Sequence, residues 1–89
     1  MIGSWIGPWN GKRFKAAVAD SGLSGREITH RCNVLIGSPI VSSTSILYWR
    51  DHEPRRMQVI MALASVLFGD QGRWMEFFDK PESRAEGMK

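Results

Sequence analysis

The sequence contains one cysteine, Cys32, one tyrosine and two histidines among 89 residues. A single cysteine cannot form an internal disulfide, so the chain lacks the covalent support of small secreted domains, and we expect a reducing, cytoplasmic location. A chain of this length forms one small domain. Its core is expected to be small as well, because a short chain buries a smaller share of its surface than a long one.

Residues that catalysis and metal binding require are also scarce. His30, Cys32 and His52 form the only cluster with suitable side chains. Residues two positions apart on a helix point to different faces, so His30 and Cys32 are poorly placed to share a metal. No glycine-rich phosphate loop and no pair of carboxylates suited to acid–base catalysis is present. We therefore expect no enzyme, no metal and no cofactor, with Cys32 as a core thiol and both histidines on the surface.

Two long runs lack charge, and neither predicts a membrane span. Residues 32–49 are long enough to cross a bilayer, but their serines, threonine and asparagine and the pair Ser38-Pro39 make them too polar. Residues 57–69 are too short to span and suit a buried helix. Residues 1–9 are apolar but lack the charged leader of a signal peptide. We expect no membrane partner.

Positive charge is concentrated in the first two thirds of the chain. The net charge is +3. Residues 1–56 carry eight basic and four acidic side chains, whereas residues 57–89 carry four basic and five acidic ones. An anion-binding surface is therefore expected to consist of residues before position 57.

Capping residues mark the first helix. Asn10 is a favourable N-cap for a helix over residues 10–21, and Gly22 suits the left-handed conformation at its end. Apolar residues at helical spacing within this segment predict one buried stripe. They are Phe14, Ala17 and Val18.

A second helix is predicted to follow at once. Ser24 and Glu27 have the spacing of a capping box, in which each side chain accepts a hydrogen bond from the other residue's amide. The helix is expected to run to about Cys32, with Ile28 facing inward. Residues 33–39 are then a turn region, since they contain a glycine and a Ser-Pro pair.

A third helix is expected over residues 42–50, with Ser42 as its N-cap. An earlier start at Pro39, with Ser38 as the cap, is the alternative. Helix is disfavoured at Glu53, the residue before Pro54, so this helix ends before it. Its buried edge contains Ile46 and Trp49.

Two further helices complete the prediction. A wide apolar stripe over residues 55–68, closed by Gly69, indicates a buried helix. A last helix is expected over residues 71–79, ended by Pro81. No alternating strand pattern longer than a few residues is present, so the fold class is all-α, a small bundle of about five helices.

The chain divides into three parts. Residues 1–9 form an N-terminal aromatic flap whose Trp5 and Trp9 are expected to seal the core. Residues 10–79 form the helical domain. Residues 80–89 have no apolar pattern and predict a flexible tail.

Two short helices joined around residues 33–41, followed by Pro54 and a long apolar helix, are typical of a helix-turn-helix. Residues 12–69 resemble the lambda-repressor-like domain (Cro type, XRE family) of phage and bacterial regulators. The residues that carry the resemblance are Leu23, Ser24, Ile28, Asn33, Val34, Ser45, Ile46, Trp49, Pro54, Leu63 and Ala64. The resemblance implies a repressor or Cro-like regulator that places residues 42–50 in the major groove of double-stranded DNA.

The sequence departs from the family at two places. The stretch between Val34 and Ser42 is longer than the family's tight turn, so we expect a longer loop or an altered angle between the two helices. Arg50 stands where the family usually has an acidic residue, so we expect Val18 to pack there in place of an ion pair with the first helix.

The resemblance also implies which side chains meet DNA. Ser43, Thr44 and Tyr48 would read base edges, because hydroxyls donate or accept and the Thr44 methyl matches thymine. No Arg, Gln or Asn is among these exposed positions to pair with guanine or adenine, so DNA shape is expected to contribute to specificity. The expected phosphate contacts are Ser24, Arg26, Ser42, Arg50, Arg55 and Arg56.

Alternatives remain open at this point. Residues 43–45 also fit an ordinary solvated helix face. Trp5 and Trp9, together with residues 35–49, also suit a small helix-turn-helix-derived module that binds another protein, such as a host-protein modulator or an antitoxin. A homodimer and a host protein are therefore further candidate partners beside DNA.

Overall fold

The computed structural model describes residues 7–80, whose regular secondary structure is entirely helical. The elements are α1 (Gly11–Ser21), α2 (Gly25–Ile36), α3 (Ser43–Tyr48), α4 (Met57–Phe68) and a 3-10 helix (Gln71–Phe77). This architecture confirms the predicted all-α bundle of about five helices. Trp5, with the rest of residues 1–6, and the predicted tail beyond Lys80 lie outside the described residues.

The caps of α1 and of the start of α2 are as predicted. Asn10 accepts hydrogen bonds from the first amides of α1, and Gly22 ends that helix with a φ of 71°. Ser24 accepts from the amide of Glu27 at 3.1 Å, and the Ser24 amide donates to the Glu27 carboxylate at 2.9 Å. Both helices therefore begin where their side chains satisfy free amides.

Helix α2 ends at Ile36, one turn beyond the predicted end at Cys32. The prediction of a turn from residue 33 was wrong because no residue between Asn33 and Ile36 breaks a helix. Gly37 ends α2 instead, with a φ of 82° and its amide bonded to the Asn33 carbonyl at 2.8 Å. The connection to α3 is therefore residues 37–42.

Helix α3 begins after Ser42, as predicted, rather than at Pro39. Ser42 and Ser45 form a capping box of their own. The helix ends at Tyr48 rather than at residue 50, because the amides of Asp51 and His52 both return to the Tyr48 carbonyl, each at 3.1 Å. These bonds form a tight turn in place of another helical turn.

Helix α4 begins at Met57, two residues after the predicted start, and ends at Phe68 as predicted, with Gly69 as its C-cap. Arg56 is its N-cap residue and provides no side-chain hydrogen bond to the helix. The last element is a 3-10 helix that ends at Phe77, not an α-helix that reaches Asp79. Phe78 leaves it because its backbone forms an isolated antiparallel bridge with Trp9.

Helix α4 lies at the centre of the fold and packs against α1, α2 and the 3-10 helix, whereas α3 packs against α2. The largest fully buried side chains are Phe14, Phe77, Ile28, Leu63, Pro54 and Cys32. Trp9 is half-buried and packs its ring against Phe14, Phe77 and Phe78 at centroid distances of 5.3–5.5 Å. Within residues 7–80 no helix has both the length and the apolar character needed to cross a bilayer.

Candidate nucleic-acid interface

Helix α3 presents a continuous exposed face. Ile46 and Trp49 are buried and fix the inward side of the segment. The outward side contains Ser43, Thr44, Leu47 and Tyr48, all exposed. These four positions share one side of the helix because side chains three or four residues apart are neighbours. The predicted base-reading residues therefore lie together, and Leu47 joins them.

The N-terminal end of α3 is positioned by a side chain of α2. The Asn33 carboxamide donates to the Val41 carbonyl and accepts from the Val41 amide, both at 2.8 Å. Asn33 thus satisfies a donor and an acceptor of the loop that precedes α3, and Val41 is itself buried. The loop is longer than the three or four residues of a tight helix-turn-helix, but this pair of hydrogen bonds fixes its path.

The C-terminal end of α3 is held by the chain that leads into α1. The indole Nε1 of Trp9 donates to the Trp49 carbonyl at 2.8 Å. Gly11, the first residue of α1, lies so close to the Arg50 carbonyl that a side chain there would overlap with it. Val18 is half-buried and packs against the core. Both ends of α3 are therefore fixed to the rest of the fold.

Tyr48 stacks on His52. Their rings lie 4.0 Å apart between centroids with an interplanar angle of 8°, and His52 Nδ1 is 3.2 Å from the Tyr48 carbonyl oxygen. One face of the Tyr48 ring is therefore covered, and its hydroxyl and other face remain for a ligand. Sequence reasoning placed His52 on the surface but missed this contact, which the spacing of four residues could have indicated.

A groove of about 300 Å³ runs beside α3. It brings together three of the predicted DNA-contacting residues, Tyr48, Arg55 and Arg56. Its remaining walls are Ile40, Trp49, Glu53 and Val59. The groove is therefore lined by two cations, one carboxylate, and apolar and aromatic side chains.

The arginines near α3 lie in the solvent-exposed part of the described chain, two of them in a groove with the Glu53 carboxylate. Arg50, Arg55 and Arg56 are exposed, and none of them takes part in an ion pair within residues 7–80. The ion pair found there joins Arg73 to Glu76 on the 3-10 helix, at 2.6 Å, and lowers the pKa of the Glu76 carboxyl through the hydrogen bond from Arg73. The cations around α3 are therefore available to an external anion.

The predicted phosphate contacts on α2 lie in a different setting. Hydrogen bonds from the Ser24 amide and hydroxyl lower the pKa of the Glu27 carboxyl, which stays ionised at the start of this helix. Arg26 lines a shallow hollow with Glu27, His30 and Arg31, and none of these residues lines the groove beside α3. A phosphate at Ser24 would meet the Glu27 carboxylate, so Arg26 is the stronger candidate of the two.

The Cys32 thiol and the side chains that could bind a metal give residues 7–80 little reactive chemistry. Cys32 is fully buried, and burial raises the pKa of its thiol to about 12. The thiol is therefore protonated and shielded near neutral pH, as expected for a core residue. Within residues 7–80 no three His, Cys, Asp or Glu side chains are grouped to hold a metal ion.

No protein-family model matches this sequence, and neither a curated protein nor a solved structure shows significant similarity to it. What the structure establishes is the class, a small all-helical fold over residues 7–80. The resemblance to Cro-type regulators remains an interpretation of individual residues.

Proposed function

We propose that this protein binds double-stranded DNA and acts as a transcriptional regulator in the cytoplasm, a repressor or Cro-like protein that places α3 in the major groove. One observation carries the proposal. Tyr48 of α3 shares a groove with Arg55 and Arg56, and Arg50 follows two residues after Tyr48; all three arginines are exposed and without an ion pair in the described part of the chain.

The arginines would supply most of the affinity. A cation that meets a phosphate releases counterions from the DNA, which gives binding without sequence preference and a strong dependence on salt. Arg55 and Arg56 share the groove beside α3 with Tyr48. A phosphate strand along this groove would therefore lie next to the exposed face of α3 formed by residues 43, 44, 47 and 48, which we call the reading face. The Tyr48 hydroxyl would donate to the same strand.

The size of α3 is compatible with this role. A helix of six residues is about 9 Å long, and the major groove is about 12 Å wide. Ser43 and Thr44, in the first turn of α3, would reach base edges there. A homodimer would read two half-sites about 34 Å apart, one turn of the duplex.

The experiment measures binding to a fluorescently labelled duplex by anisotropy, at a series of salt concentrations. Arg55→Ala and Arg56→Ala should each weaken binding to all sequences and reduce the slope of log K against log salt by about 1. Arg31→Ala is the matched control, since it removes the same charge from an exposed position on α2. Absence of duplex binding at low salt, or equal slopes in all four proteins, contradicts the proposal.

A second candidate is a protein-interaction module, a host-protein modulator or antitoxin. It is favoured by the exposure of Leu35, Ile40, Leu47 and Tyr48, which lie within residues 35–49 and are 39–57% exposed. Trp9 contributes less than expected, because its ring packs on the core. A partner that co-purifies with the wild type but is lost with Leu35→Ser, while DNA affinity stays intact, would support this second function.

A further inference from the structure

The reading face of α3 contains an apolar residue that hydroxyl chemistry does not explain. Leu47 is 57% exposed and lies one turn after Thr44 on the outward side of the helix. Leucine on a short exposed helix leaves apolar surface in water, at a free-energy cost that a ligand can relieve. The groups that the exposed residues of α3 offer to a ligand are therefore hydroxyls and methyls.

These groups match one feature of the major groove. Each base pair displays hydrogen-bonding groups there, but only thymine also displays a methyl group, on C5. Guanine is read best by Arg or Lys and adenine by Asn or Gln, and α3 contains none of these residues. Leu47 and the methyl of Thr44 are the side-chain groups on this face suited to an apolar base edge.

The spacing and the neighbouring contacts agree with this assignment. Side chains three residues apart on a helix lie about 5–6 Å apart, which spans one to two base-pair steps of about 3.4 Å. Tyr48 stacks on His52 and lines the groove that also contains Arg55 and Arg56. Leu47 and Thr44 therefore remain to face the bases while Tyr48 faces the backbone.

We propose that Leu47 and Thr44 of α3 contact thymine C5 methyl groups, so that the protein selects A·T pairs in its site through apolar contact. The assignment rests on the proposed DNA-binding function and adds the identity of the base that is read. It makes Leu47 a specificity-determining residue, with little effect on the salt dependence that the arginines produce.

The test uses the full chain and a duplex selected from a random pool. Each thymine of the selected site is then replaced by deoxyuridine, which pairs identically but lacks the methyl group. Loss of a methyl contact is expected to weaken wild-type binding about fourfold at each contacted thymine. Leu47→Ala should bind the thymine duplex about as weakly as the wild type binds the uracil duplex, and should no longer distinguish them at the position that Leu47 reads.

Leu35→Ala is the matched control, because Leu35 on α2 is 56% exposed, nearly the same as Leu47, and lies outside α3. This variant should keep the full preference for thymine. Equal wild-type affinity for both duplexes, with salt-dependent binding intact, overturns the methyl contact and leaves the DNA-binding function standing. Absence of duplex binding overturns both, and a protein partner lost with Leu47→Ala would then assign this face to protein recognition.

Discussion

The indole Nε1 of Trp9 donates a hydrogen bond to the main-chain oxygen of Trp49, 40 residues further along the chain, at 2.8 Å. The last carbonyls of a helix have no hydrogen-bond partner within the helix. The bond from Trp9 satisfies the carbonyl of Trp49, the C-cap residue of α3. The Trp9 ring is held in turn by Phe14, Phe77 and Phe78. One side chain thus links the aromatic core to the segment that carries the candidate reading face.

Trp9→Phe should therefore weaken both the fold and the position of α3. The substitution removes the indole donor and leaves the Trp49 carbonyl without its partner, at an expected cost of about 1–3 kcal/mol in the free energy of unfolding. Urea unfolding measures this change. Trp74→Phe is the control, because Trp74 is also half-buried but its indole donates no hydrogen bond within residues 7–80. Equal losses in the two variants would show that ring size alone matters.

Gly11→Ala should destabilise the protein although alanine is the better helix former. A Cβ at position 11 would overlap with the Arg50 carbonyl, so the backbone has to shift, at about 1–3 kcal/mol. Gly25 is the first residue of α2, as Gly11 is of α1, and has open space around it. Gly25→Ala should be neutral or stabilising by up to about 1 kcal/mol. Thermal melts of both variants give the comparison, and a stabilised Gly11→Ala protein would contradict it.

Asn33→Ala should loosen the loop before α3. It leaves the amide and carbonyl of Val41 without partners, and we expect a loss of about 2 kcal/mol in the free energy of unfolding. Hydrogen exchange at the Val41 amide should accelerate more than the loss of global stability accounts for. Asn33→Asp keeps the acceptor but loses the donor, so it should retain part of the Val41 protection. Unchanged exchange in Asn33→Ala would show that the loop does not depend on these bonds.

Arg56→Ser should raise stability and lower DNA affinity together. Arg56 is the N-cap of α4 but provides no cap, and its charge opposes the helix dipole. Serine at this position should stabilise the fold by about 1 kcal/mol. The same change removes a cation from the groove beside α3, so the salt slope should fall by about 1. Arg31→Ser loses the same charge within α2, where serine caps nothing, and should give no gain in melting temperature.

Cys32 should make the free energy of unfolding decrease as the pH rises in the alkaline range. Burial raises the pKa of its thiol from 9.0 to about 12, so the unfolded state loses this proton before the native state does. The native state then binds more protons, and stability falls as the pH rises from 9 toward 12, by up to about 1.4 kcal/mol per pH unit. Urea unfolding of the wild type and of Cys32→Ala at pH 7, 9 and 10 measures the effect. The stability advantage of the wild type should shrink above pH 9, and a constant difference would show that the thiol does not titrate in this range.

Local signals in the sequence predicted most of the helix boundaries. Asn10, Ser24 and Ser42 are strong N-caps, and Gly22 and Gly69 are the residues that the left-handed conformation favours, so each boundary depends on its own short segment. The end of α2 was mispredicted because residues 33–39 were all assigned to a turn, although Gly37 is the residue among them that most favours the left-handed conformation at a helix end.

The candidate site was predictable in its cations and hydroxyls but not in its arrangement. The exposure of Arg55 and Arg56 follows from their charge, whereas their position beside Tyr48 depends on the path of the chain between α3 and α4. With Ile46 and Trp49 on the buried edge, the spacing places Leu47 on the exposed side of α3, as the structure shows. The bond from Trp9 to Trp49 joins residues 40 apart, a distance that no local pattern encodes.

The backbone pairing of residues 7–10 with residues 77–79 has a consequence for the order of folding. Gly7 and Asn10 donate to the Asp79 and Phe77 carbonyls, both at 2.8 Å. Joining segments almost 70 residues apart costs about 4 kcal/mol of chain entropy, which helices packed from neighbouring segments do not incur. We expect this pairing to form after the contacts among the helices. Since Trp9 belongs to it, α3 would gain its second anchor only in that final step.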